Sequence, residues 1–171
     1  ARGANRRGLI ASCIYIACKI KKVPRSSKEI ADMFSINVTS MTKGCKRFME
    51  IINLNKIVNN KNINLASSDS TDFIHRFCSK LNMDKDLTNI CLNICNKAEE
   101  YSLVSENTPP SIAAGTIYLV SMIYGLNLNK KTISKSCKIS EVTICKCYKR
   151  LNKYYKYLLP KEILEKINNK K

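Results

Sequence analysis

Val142, Lys146, Lys149 and Lys153 recur at steps of four and three, so a helix here carries an apolar residue at its start and a lysine row behind it. Ile144, Tyr148, Leu151, Tyr155 and Leu158 step at the same interval and form the side expected to face the core. Cys145 and Arg150 flank the lysine row. Ser140 is placed to cap this helix, and Glu141 puts negative charge against the positive end of the helix dipole. A short helix over 131–136 and a tight turn at 137–139 are expected just upstream, with Lys130 and Lys131 at the start. A helix that follows a short helix and a tight turn, apolar in its first turn and basic along one face, has the form that docks in a DNA major groove. Lysines neutralise phosphates there, while the first turn approaches base edges. A solvated lysine face has the same spacing, and one copy of the motif does not separate the two.

The motif occurs twice. A shift of 103 positions lays residues 9–48 onto residues 112–151 without a gap. Ala11 meets Ala114, Ile14 meets Ile117, Tyr15 meets Tyr118, Ile30 meets Ile133 and Ile36 meets Ile139. Lys43 meets Lys146, Lys46 meets Lys149, and Arg47 meets Arg150. Each copy reads as an apolar helix rich in small residues, a loop, a short helix, a tight turn and a longer basic helix. In the first copy Asn37 is the expected N-cap, Met41, Cys45 and Phe48 point inward, and Lys43, Lys46 and Arg47 form the basic side. Two copies of one arrangement strengthen the nucleic-acid reading, since both could face one duplex.

Composition agrees. Thirty Lys and Arg against thirteen Asp and Glu give a net charge of +17, a self-repulsion that a polyanion relieves. The basic residues are spread over several elements rather than gathered on one amphipathic helix, so a membrane surface is not the expected partner. No apolar run approaches the roughly 20 residues that span a bilayer. Enzymatic chemistry is not expected, because no Ser/His/acid set, paired carboxylate motif or glycine-rich phosphate loop is present. The single His75 reads as a partly exposed helix residue. Nine cysteines without Cys-x-x-Cys pairs suit a reducing compartment and read as small core residues rather than metal ligands, so no cofactor is expected within these residues.

The second copy extends further upstream. Phe73, Ile74, Phe77 and Leu81 recur at helical spacing, and Leu87, Ile90, Cys91, Ile94 and Ala98 do so again, with Asp84 placed to cap the second stretch. Pro109 and Pro110 are expected to break the chain before a helix opening at Ser111. Five helices between Ser70 and Leu158 follow. Projected back by the same shift, the first two of these fall before Ala1, so the first repeat is expected to lack them. No strand pattern is convincing, and the expected class is all-α. The expected division is a first repeat over 1–58, a linker over 59–69 and a second repeat over 70–171, with Ile57, Val58, Ile63 and Leu65 as the apolar anchors of the Asn-rich stretch from Asn53 to Ser70.

The runs "ASCIYIACK", "VPRSSKEIA", "FIHRFCSKL", "SIAAGTIYLVS" and "ISEVTI" resemble, in order and spacing, the core of the transcription factor IIB family, a tandem pair of cyclin folds. The resemblance covers nearly the whole chain. It implies a factor that bridges TATA-binding protein and promoter double-stranded DNA and recruits RNA polymerase, acting as a monomer in the nucleus or at a site of viral transcription. It implies that the family's zinc ribbon would lie before Ala1. It also implies that the loop carrying Arg25 enters the minor groove downstream of the TATA box, where an arginine suits a narrow groove. The last helix of the second repeat would read the upstream element, with Val142 as the apolar reader. Its partner position, an arginine in the family, is Cys145 here, which weakens base-specific reading while Lys130, Lys131, Lys146 and Lys149 keep the backbone grip. Two other functions fit the same fold: a kinase-binding cyclin, and a related factor serving another polymerase.

Overall fold

The computed structural model describes residues 3–59 and 68–168. Among them every regular element is helical. The chain divides into two compact units, residues 1–68 and 69–171. The expected linker lies mostly outside the described residues, as do Ile63 and Leu65.

The first unit holds α1 (Ala4–Ile20), α2 (Ser27–Met33) and α3 (Val38–Asn59). The second holds α4 (Thr71–Lys80), α5 (Lys85–Glu100), α6 (Pro109–Tyr124), α7 (Lys130–Cys137), α8 (Glu141–Lys153), α9 (Tyr155–Leu158) and α10 (Lys161–Asn168). Two of these go beyond the five helices expected. The basic helix stops at Lys153, so Tyr155 and Leu158 belong to a separate turn, and α10 packs Ile163 and Leu164 against the core. Pro109 and Pro110 do not break the chain before α6. They are its first two residues, where the N–H that proline lacks would have had no helical partner.

The repeat holds down to single backbone angles. Lys22 and Gly125, 103 positions apart, both have positive φ, and so do Ser35 and Lys138 in the turn before the basic helix. The caps correspond as well. Asn37 accepts the amide of Ser40 at 2.7 Å, and Ser140 accepts that of Thr143 at 3.1 Å. Asp84 caps α5 by accepting the amide of Leu87 at 2.8 Å.

The repeats differ in how their first long apolar helix is covered. Residues 111–121 of α6 are buried apart from the half-buried Tyr118, because α4, α5, α7 and α8 all pack on it. An apolar helix without a polar face requires such cover. The corresponding α1 packs chiefly on α3 and α2, and Ile10 and Ile14 remain 45% and 43% exposed. Their counterparts Ala113 and Ile117 are fully buried.

Both repeats cross their two long helices at a glycine. In the first, Gly8 and Gly44 bring the backbones of α1 and α3 together, and a Cβ at Gly44 would overlap the carbonyl of Gly8. In the second, Gly115 of α6 faces Cys147 of α8, and a Cβ there would stand 2.6 Å from its Sγ. The two obstacles differ in kind, backbone against side chain. Gly115→Ala is expected to cost about 1–3 kcal/mol through overpacking, and Cys147→Ala in the same chain to return much of it. Gly44→Ala is expected to cost more, with no single side-chain truncation restoring it. Chemical denaturation of these variants measures this.

Candidate nucleic-acid interface

Helix α8 presents three sides. Ile144, Cys147 and Leu151 are fully buried, while Val142, Lys146, Lys149 and Lys153 are exposed along one row. Val142 is 64% exposed, an aliphatic side chain standing in solvent in the first turn of a helix. Cys145 and Arg150 are half-buried between the two sides. Tyr148 is half-buried too, its ring edge-on to that of Tyr118 with centroids 5.0 Å apart, so these two tyrosines brace the crossing of α6 and α8.

The turn that aims α8 is set by short-range chemistry. Asn129 accepts the amide of Thr132 at 2.9 Å and starts α7 at Lys130. Lys138 takes φ 59 at the end of α7, and Ser140 then starts α8. Ile133 and Cys137 are buried, which seats α7 beneath α8. Lys131 is exposed and Lys130 half-buried at the opening of α7.

Helix α3 repeats the scheme. Met41 is fully buried, Cys45 and Phe48 are half-buried, and Lys43, Lys46 and Arg47 are exposed. Lys43 and Arg47 line a groove of about 280 Å³ with Asn5 and Gly44, so the glycine crossing opens onto the basic side. Arg47 pairs with Glu50 at 3.0 Å; both are well exposed, so the pair is weak and readily exchanged for a phosphate. Its counterpart Arg150 pairs with Glu106, whose carboxyl the arginine holds below the usual carboxylate range by hydrogen bond and charge. In each repeat, then, one arginine is already engaged by a glutamate while the two lysines beside it point into solvent.

Arg25 behaves differently. Its guanidinium turns back on its own loop, donating to the carbonyls of Val23 at 3.0 Å and Pro24 at 3.4 Å. The loop is fixed from the following side. Ser26 and Glu29 form a capping box, with the Glu29 carboxylate accepting the Ser26 amide at 2.9 Å and the Ser26 hydroxyl accepting the Glu29 amide at 3.1 Å. The S-x-x-E spacing in "SSKE" carries that signal, and it adds to the residues singled out by sequence. The structure therefore places the lysine rows and Val142 at the surface and leaves Arg25 folded against its own loop.

The cysteines of the second unit are mostly buried among helices, Cys145 excepted. Burial pushes the Cys95 thiol up to about 11 and the Cys147 thiol up to about 12, so both stay protonated at neutral pH. Among the described residues no group of three His, Cys, Asp or Glu side chains could hold a metal ion.

A family model described as the transcription factor TFIIB repeat matches residues 1–53 and 63–154. The chain belongs to the transcription factor IIB family. Its fold is the family's tandem cyclin-like arrangement, all-helical in both repeats. A putative transcription initiation factor IIB-like protein of Acanthamoeba polyphaga mimivirus is 40% identical over 175 residues, covering 99% of this chain and 37% of the relative. Transcription initiation factor IIB 1 of Thermoplasma volcanium is 35% identical, covering 91% of this chain and 47% of the relative. The Encephalitozoon cuniculi factor IIB is 31% identical, covering 96% of this chain and 50% of the relative. The chain spans half or less of the length of these relatives.

The two lysines of α8 give a direct test. Lys146→Ala with Lys149→Ala is expected to weaken duplex binding and to lower the slope of log affinity against log salt by about 2, since each neutralised phosphate supplies roughly 0.9 of that slope. Anisotropy titrations with a labelled duplex at several salt concentrations measure it. An unchanged slope would take α8 out of the interface.

Proposed function

We propose that this chain is the promoter-binding core of a transcription initiation factor, which bridges TATA-binding protein and duplex DNA so that RNA polymerase is recruited. It acts by binding, with no chemical step of its own, as a monomer in the nucleus or at a site of viral transcription. The observation that carries the proposal is the pairing of Lys43 and Lys46 with Lys146 and Lys149. All four are exposed and stand at matching positions of the basic helix of each repeat. A kinase-binding cyclin would share the fold without needing either row.

The roles divide by chemistry. Lys43, Lys46, Arg47, Lys130, Lys131, Lys146 and Lys149 contact phosphates and fix the register on DNA. Arg25 serves the minor groove, which requires its guanidinium to exchange two backbone carbonyls for acceptors on the DNA. The bond to the Val23 carbonyl is exposed and that to Pro24 is long, so water can take over the first acceptor when the guanidinium leaves. Val142 supplies an apolar contact of the kind that suits a thymine methyl. Cys145 is too short and too weak a donor to pair with a guanine edge, so upstream base preference is slight.

The bridging role is tested by gel-shift with TATA-binding protein and a TATA-containing duplex. A slower ternary band that needs all three components is expected, and capture of a kinase subunit without such a band would favour the cyclin alternative. The base-reading role is tested by Cys145→Arg. This substitution is expected to create a preference for a G-containing upstream flank, worth roughly 1–3 kcal/mol, that the natural chain lacks. Competition binding on duplexes differing only in that flank reads it out. If no preference appears, α8 docks in another register.

A further inference from the structure

Where α8 ends, the surface changes character. Tyr154 is 43% exposed and Tyr157 73% exposed. The amide of Tyr157 donates to the carbonyl of Tyr154 at 2.9 Å, so the two residues lie one turn apart on the same outer side. Tyr155 packs against the core and Leu158 is buried, so Tyr154 and Tyr157 lie on the outer side of this turn. The last turn of α5 abuts this place: Lys97 Nζ donates to the carbonyl of Tyr157 at 3.4 Å. Tyr101, one turn beyond Lys97, is 54% exposed. Lys153 and Lys156 are exposed around the same turn. Tyr154 and Tyr157 thus stand exposed beside Lys97, Lys153 and Lys156 at the end of the row that runs along α8, with the exposed Tyr101 one turn along α5 from Lys97.

We infer that Tyr101, Tyr154 and Tyr157, with Lys97, Lys153 and Lys156, form a binding surface for single-stranded nucleic acid. Phosphates meet the lysines, and unpaired bases stack on the tyrosine rings. Duplex DNA hides its base faces in its own stack and gains nothing from exposed rings, whereas every unpaired base offers a face regardless of sequence. An acidic polypeptide would satisfy the lysines and leave the rings unused, which is why the aromatic component favours nucleic acid. Lys153 belongs to both the row on α8 and this surface, but Lys146 and Lys149 lie outside it, so the inference does not require those two lysines to dock in a duplex.

The absence of tryptophan makes the test direct, because emission from the chain is tyrosine emission alone. The full chain is titrated with a twenty-nucleotide oligothymidylate, following tyrosine emission and the anisotropy of a labelled strand. Binding with quenching is expected. Tyr157→Ala should weaken it about ten-fold, the effect of losing one stacked base. Tyr157→Phe should bind like the natural chain, since the ring and not the hydroxyl carries the interaction. The Lys146→Ala, Lys149→Ala double variant should keep this binding while losing affinity for duplex. Circular dichroism confirms that each variant retains its helices. Equal loss in the Ala and Phe variants, or loss in the lysine double variant, would overturn the inference. So would binding without quenching that polyglutamate displaces as readily as the oligonucleotide does, which would mark the surface as a site for acidic polypeptides.

Discussion

The lysine rows face outward because two helices cross at a distance only glycine allows. At Gly8 and Gly44 the backbones of α1 and α3 are in contact, and at Gly115 the backbone of α6 meets the side chain of Cys147 on α8. So close an approach fixes the rotation of the basic helix about its axis. Met41 in one repeat and Ile144, Cys147 and Leu151 in the other are then committed to the core. Once those positions are inward, helical geometry leaves Lys43 and Lys46, or Lys146 and Lys149, no other side to occupy. The crossing is filled differently in the two repeats: glycine stands on both helices at Gly8 and Gly44, whereas Gly115 on the apolar helix meets the side chain of Cys147 on the basic one.

Charge acts on this frame from outside. A net charge of +17 leaves lysines repelling one another over a small surface. Arg47 and Arg150 are each held by a glutamate, whereas the lysines of the rows stand in solvent. An exposed lysine meets an anion as a flexible point charge, without the fixed fork geometry that an arginine brings. The arrangement suits backbone grip more than base reading, in keeping with a cysteine at 145 and an aliphatic at 142.

Much of this was legible in the sequence, and what was missed has physical reasons. The repeat, the all-helical class, the caps at Asn37, Asp84 and Ser140, and the outward row on α8 all follow from local spacing. Local spacing also misled. Pro109 and Pro110 suggest a break, yet proline at the first helical positions costs nothing, so α6 begins two residues earlier than expected. The periodicity through Tyr155 and Leu158 continues past the end of α8, because a one-turn helix after a break at Tyr154 can keep the same side inward. Nothing local reveals the glycine crossings, which depend on residues more than thirty positions apart. The turned-back guanidinium of Arg25 is likewise invisible to spacing, being a choice among rotamers of a half-buried side chain between the buried Pro24 and Ser26.

The difference in cover between α1 and α6 bears on how firmly each repeat holds its basic helix. Helix α6 is gripped on every side, so the orientation of α8 is backed by a core that includes Phe77, Ile94, Ile117 and Leu119. Helix α1 has the same apolar, small-residue character, but its core partners are Ile30, Ala31 and Met41 with a few half-buried neighbours. Ile10 and Ile14 lie one turn apart in solvent, with the exposed Cys13 and Ala17 beside them. Burying an aliphatic side chain contributes roughly 1.5–3 kcal/mol. Since Ile10 and Ile14 are already more than half covered, burying the rest of both would add roughly 1.5–3 kcal/mol in all. Among the described residues α3 packs chiefly on α1 and α2, so the support of Lys43 and Lys46 runs through these two helices. The orientation of α3 thus rests on a smaller buried core than that of α8 does.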